Sequence, residues 1–182
     1  IWNPKTIISK RVRINNSYGE LPINNKFIGN YTQKIVGIPK RKSLILSYPN
    51  IPQDYESTRH FIRGVFDGDG CVFKRTLYSK NGYINHYVYI DICSASEKFI
   101  KKCGDILNNL GIYCHIKQTF KKVYFKEKFY LSNMFNLKIE RQKEVLKFYD
   151  FIYKDVPIDI LSEKKKQKFD KLLRYRRLKL EI

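Results

Sequence analysis

The chain has 182 residues, 43% of them hydrophobic, enough to build the core of one domain, or of one domain with part of another, and this excludes a disordered chain. Its 36 Lys and Arg against 17 Asp and Glu give a net charge of +19, spread along the sequence rather than gathered into a tail, so a polyanionic partner is expected. The 14 Tyr and 12 Phe interleave with those bases and favour nucleic acid over a membrane surface; no amphipathic basic helix and no apolar run of about 18 residues appears.

In chain order, residues 7–14 predict a strand and Asn15 to Gly19 a polar turn. A helix follows over about 24–36, with Phe27, Ile28, Tyr31 and Ile35 at helical spacing and Gly37 as its stop. After the basic run Lys40-Arg41-Lys42-Ser43, Leu44-Ile45-Leu46 is strand-like, and Pro49 and Pro52 punctuate a linker. Next comes a helix that ends in His60-Phe61-Ile62-Arg63-Gly64-Val65-Phe66-Asp67-Gly68-Asp69-Gly70. Beyond it the period changes to two: residues 71–78 and 83–93 form a hairpin around Asn81-Gly82, with Ile84, Val88, Ile90 and Ile92 on one face. Ser94-Ala95-Ser96-Glu97 has the form of a capping box, with Ser94 as N-cap, for a helix closed by Gly111. A second strand pair is expected over 112–121 and 123–139, then a helix holding Val145, Phe148 and Ile152, then a basic helix over 163–177. From residue 55 the order is αββαββα: an α+β fold, a saddle-shaped antiparallel sheet with helices on one face and a polar concave side able to enter a DNA major groove. Strand, helix and Lys-rich turn at 7–42 also echo those at 134–166.

The stretch 60–70 carries the chemistry. Phe61, Ile62, Val65 and Phe66 share an apolar helical face, while Gly64 and Gly68 line another at a cost of about 1 kcal/mol each relative to alanine, which suggests close approach of a second helix. Asp67 and Asp69 fall at the negative end of the helix, where a carboxylate is disfavoured by about 0.3–1 kcal/mol unless a cation compensates, as a metal ion would. Read without context, the stretch is equally a core helix ended by a Gly-rich turn. An EF-hand is excluded, because Cys71 and Tyr78 stand where the loop needs an oxygen ligand and a glutamate. Cys71, Cys93, Cys103 and Cys114 show no zinc-ligand spacing to His60, His86 or His115, and buried thiols in a reducing, intracellular compartment are the expectation. With Ile1 first and Met134 the single methionine, the chain is expected to be part of a longer product.

Ile62 to Gly70 resembles the nine-residue motif of the LAGLIDADG homing endonucleases of introns and inteins, and the αββαββα order fits that family over residues 55–175. Arg63 stands where the family has a small residue. The resemblance implies residues 1–53 to be the C-terminal remnant of a preceding half plus linker, and 54–182 to be a LAGLIDADG domain with a C-terminal basic helix. It implies a site-specific endonuclease making metal-dependent double-strand breaks at a long site. Two motif helices would pack through Gly64 and Gly68, the second belonging to a homodimer mate or to an upstream or separate half. Asp69 and the Gly68 carbonyl would hold Mg²⁺, with Mn²⁺ or Ca²⁺ able to substitute in binding; Lys42 and Lys164 would assist catalysis, with Lys165 nearly as well placed as Lys164. The polar position at the end of the second strand falls on Ser94, and in the earlier half on Asn16. Double-stranded DNA would meet Arg75, Tyr83, Asn85, Tyr87, Tyr89, Asp91, Tyr113, His115, Lys117 and Thr119. The alternative is a non-cleaving DNA-binding regulator or an RNA-splicing maturase on the same scaffold.

Overall fold

A computed structural model describes residues 9–13, 16–20, 26–39, 44–125, 128–157 and 163–177. Strands β1 (Ser9–Arg13) and β2 (Asn16–Glu20) pair antiparallel as a two-stranded sheet and precede helix α1 (Lys26–Lys34). The segment Asn16 to Gly19, expected as a turn, is therefore strand: Asn, Ser and Gly signal a turn locally, but pairing with β1 overrides that preference. Helix α1 gives way to Gly37 at φ +79°, a conformation suited to glycine. Leu44 to Leu46 does not form the expected strand; Leu44 and Ile45 are exposed, and the Leu46 carbonyl accepts from Ser96 Oγ instead of from a neighbouring strand. Lys42 lies outside the described residues.

The remaining elements run α2 (Tyr55–Asp69), β3 (Gly70–Tyr78), β4 (Ile84–Ser94), α3 (Glu97–Asn109), β5 (His115–Phe125), β6 (Lys128–Ile139), α4 (Gln142–Tyr153) and α5 (Glu163–Arg177). This is the expected αββαββα order with one further helix. Asp54 starts α2 by accepting the Ser57 N–H at 2.9 Å, and that bond holds the Asp54 carboxyl below its usual range. The four strands form one antiparallel sheet in the order β3-β4-β6-β5. β5 runs to Phe125 and β6 starts at Lys128, so this hairpin extends further than the expected break near residue 122. Ser96 rather than Ser94 caps α3, accepting the Phe99 N–H, while Ser94 Oγ accepts from the Ser96 N–H.

Alternation fixes which sheet face is buried. Val72, Val88, Ile90, Ile92, Phe135, Leu137 and Ile139 point to the helices and pack with Ile62 and Phe66 of α2, Ile100 and Leu107 of α3, Phe148 and Ile152 of α4, and Phe169 of α5. Ile84, expected on that face, is the first residue of β4 and is exposed. β6 ends opposite Ile90, and past that point the Gln142 side chain takes over, donating to the Val88 carbonyl and accepting from the Val88 N–H as a neighbouring strand would.

Candidate active site and nucleic-acid interface

Helix α2 runs into β3 at Gly70, and the change of direction there requires glycine for space. A Cβ on Gly70 would stand 2.3 Å from Phe66 Cδ2 and 2.8 Å from the Phe66 carbonyl oxygen, although φ of −76° suits any residue. Asp69, the last helical residue, is exposed, and its carboxylate takes no hydrogen bond or ion pair among the described residues. Asp67 behaves differently. It is half-buried, and its Oδ1 accepts the Tyr153 phenol of α4 at 2.7 Å. Burial first, and the Asp67 carboxylate second, raise the Tyr153 pKa.

The turn is held from α5 as well. The Lys165 ammonium donates to the carbonyl oxygens of Phe66 at 2.7 Å, Asp67 at 2.8 Å and Gly70 at 2.7 Å, and lies 5.3 Å from the centre of the Phe66 ring. An ammonium has three N–H donors, and these bonds use all three. Burial lowers the Lys165 pKa, against the opposing pull of Cys71, Asp67 and Asp69. Lys164, singled out from the sequence, is exposed, and the amine that reaches the motif belongs to its neighbour. Successive residues on a helix point about 100° apart. Phe169 and Leu173 are buried on α5, so the residue four before Phe169 faces the motif and Lys164 does not.

The opposite face of α2 is open. Gly64 and Gly68 are exposed, and a Cβ on either would meet nothing within 4 Å. Gly64, Val65 and Asp69 border a groove of about 620 Å³ whose other walls include Leu46, Ser94 and Met134. Freed from the capping role expected of it, Ser94 thus stands on the same groove as Asp69. Arg63 is buried, and its Nη1 has no hydrogen-bond partner, so the departure from a small residue carries a desolvation cost.

The outer sheet face divides into two sets. Arg75, Asn85, Tyr87, Tyr113, His115 and Lys117 are exposed, as is Tyr83 in the turn before β4. Asp91, Thr119 and Tyr89 are partly covered. Asp91 is bound by Asn136 Nδ2 at 2.8 Å and by Lys138 Nζ at 3.3 Å, and Thr119 Oγ1 donates to Asn136 Oδ1 at 2.8 Å. This chain of bonds ties β4, β6 and β5 together, so Asp91 is first a sheet-spanning acceptor. Phe73 stacks on Tyr89 with ring centres 5.2 Å apart, and Lys168 and Lys138 lie over those two rings at 5.6 and 5.4 Å. Arg141 lies over Tyr113 at 4.2 Å. Phe73, Asn136, Lys138 and Lys168 were not among the expected contacts, though Asn136 and Lys138 alternate with Phe135, Leu137 and Ile139 and could have been found by that signal.

Residues 56–153 match the model of the LAGLIDADG-like domain. The chain belongs to the LAGLIDADG family. Among the solved structures that resemble it are the homing endonuclease I-TnaI, 17% identical over 68% of this chain and 71% of that one with a TM-score of 0.42, and the archaeal intron-encoded homing endonuclease I-Vdi141I complexed with DNA, 16% identical over 65% of this chain and 66% of that one with a TM-score of 0.45. No curated protein matches the chain.

Within this LAGLIDADG domain, no group of three or more His, Cys, Asp or Glu side chains gathers among the described residues. Mg²⁺ does not require one, being commonly held by one or two carboxylates and completed by water and phosphate. Asp69, exposed and unengaged, suits that kind of open site, whereas Asp67 is already committed to Tyr153. The thiols stand apart. Burial pushes Cys103 up to about 12 and Cys114 up to about 11, while Cys71 is exposed and Cys93 half-buried, contrary to the expectation of buried thiols. No described helix is long and apolar enough to cross a membrane.

Proposed function

We propose that this LAGLIDADG chain acts as a site-specific DNA endonuclease, with Asp69 as the carboxylate that one half contributes to a divalent-metal-dependent active site. The observation that carries this reading is the contrast between the two motif acids: Asp67 is tied into the fold, while Asp69 stands exposed on the groove beside Gly64 and Ser94. Asp69 also leads straight into β3, whose outer face presents Phe73 and Arg75. The net charge of +19 supplies attraction to phosphate, and the exposed Arg75, Asn85 and Lys117 supply groups for base edges.

In this reading Gly64 and Gly68 leave room for a second motif helix, which brings a second acidic residue opposite Asp69. The order β1, β2, α1 ahead of α2 repeats the ββα that closes the unit, and supports residues 1–53 as the end of a preceding half. When bound, a divalent ion would supply Lewis acidity to the scissile phosphate and to its attacking water. Asp69 and the Gly68 carbonyl would hold it, Ser94 would line the same space, and the sheet would fix the duplex against them.

The test is selection of bound duplexes from a randomised library, followed by cleavage in Mg²⁺. We expect double-strand breaks in the selected site, abolished by Asp69→Asn with DNA affinity kept within about 3-fold. Tight, specific binding by a protein that never cuts, whatever half it is paired with, would point to the regulator or maturase reading.

A further inference from the structure

Lys165 is bonded in a way that a group acting directly on water or phosphate would not be. Its three N–H donors are all taken by carbonyl oxygens, two from the last turn of α2 and one from the first residue of β3. These three oxygens bracket Asp69 on both sides in sequence. Phe66 and Asp67 precede it and Gly70 follows it, so one ammonium fixes the backbone on which the Asp69 side chain is mounted. We propose that Lys165 is a positioning residue for Asp69, a charged clamp that sets the acid's orientation without touching the reacting atoms.

The chemistry suits the task. The end of a helix leaves carbonyls without intrahelical donors, and a cation there is favoured by the helix dipole. Lys165 therefore adds donors at the abrupt α2 to β3 junction, where the Phe66 carbonyl also accepts the Gly70 N–H. Phe169, one turn further along α5, is fully buried against Phe66 and keys the clamp to the core. A second tie comes from Tyr153 on α4, which donates to the Asp67 carboxylate. Two helices that contribute no residue to the groove at Asp69 thus hold the end of the one that does.

This inference rests on the endonuclease reading for its catalytic consequence, and the experiment separates the two. Lys165→Met and Lys165→Arg are compared with the parent chain in single-turnover cleavage, in DNA affinity, in Mn²⁺ binding to the DNA complex followed by electron paramagnetic resonance, and in amide hydrogen exchange over residues 67–72. For Lys165→Met we expect exchange at that turn to quicken while α3 is unchanged, Mn²⁺ affinity to fall about 10-fold or more, cleavage to fall about 10- to 100-fold, and DNA affinity to hold. Lys165→Arg restores part of the loss, and the pH profile of the residual cleavage runs parallel to that of the parent. A displaced pH profile with unchanged Mn²⁺ affinity would make Lys165 a direct participant and overturn the proposal. So would unaltered exchange at the turn, or equal losses of thermal stability and DNA affinity, which mark a merely structural group. If the parent chain never cleaves, the endonuclease reading falls, while hydrogen exchange and Mn²⁺ binding still decide the role of Lys165.

Discussion

The Tyr153 phenol donates to Asp67 Oδ1 across 2.7 Å, joining the last residue of α4 to the first acid of the motif. Tyr153 is almost fully buried, and its ring also packs edge-on against Phe66, Tyr149 and Phe169. Tyr153→Phe keeps those ring contacts and deletes only the donor. Loss of a hydrogen bond to a charged acceptor is expected to cost about 1.5–3 kcal/mol, toward the lower end here because half-buried Asp67 can recruit water. Urea unfolding of the variant should show a lower midpoint with an unchanged slope. A midpoint equal to that of the parent would mean that the bond contributes nothing net.

Acid stability has a source at the other end of α4. Glu144, in the first turn of α4, accepts the Tyr113 N–H at 2.9 Å and pairs with Lys147 at 3.1 Å. The backbone bond from Tyr113, followed by Lys147, lowers the Glu144 pKa in the folded chain. A carboxyl whose folded pKa lies below its unfolded value contributes stability that is present above the unfolded value and lost as pH falls through the folded one. Thermal melts should therefore place Glu144→Gln below the parent at pH 7, with the gap closing as pH falls below the ordinary glutamate range of about 4.3. A gap that stayed constant across that range would assign the loss to packing or geometry instead of charge.

Where a local pattern and the tertiary environment agreed, the sequence was enough. Ile62 and Phe66 are buried as their spacing requires, Gly82 and Gly111 sit at positive φ where turns were expected, and Val88, Ile90 and Ile92 face the helices. The differences have separate causes. Ser96 rather than Ser94 became the cap when its hydroxyl also found the Leu46 carbonyl, fifty residues away. The β5–β6 hairpin runs longer than its sequence signals because Lys126 and Glu127, between the two strands, include no Gly, Pro or Asn to mark a turn. A run of lysines shows no preference for which one reaches the motif backbone; Phe169, which fixes how α5 is rotated, puts Lys165 there. The motif places Asp69 at the end of α2, as observed, but the commitment of Asp67 to Tyr153 cannot be read from it, because the two lie 86 residues apart.

Gly64 in α2 and Gly70 at the start of β3 give opposite expectations for the same substitution. At Gly70 an added Cβ meets Phe66 Cα at 2.9 Å and the Phe66 carbonyl oxygen at 2.8 Å, and backbone atoms cannot be moved aside as the end of a flexible side chain can. Gly70→Ala must displace the turn that carries Asp69, and should lower stability by about 1–3 kcal/mol, as overpacked substitutions do. At Gly64 a Cβ meets nothing within 4 Å, and the position lies inside a helix, where alanine is favoured over glycine by about 1 kcal/mol. Gly64→Ala should therefore raise the melting temperature of the chain when it is alone in solution. If a second helix approaches closely over this face, the same change should weaken association, measured by sedimentation at several concentrations. A protein whose melting temperature falls on Gly64→Ala would already hold a partner against that face, whereas a rise with unchanged association would remove Gly64 from the interface.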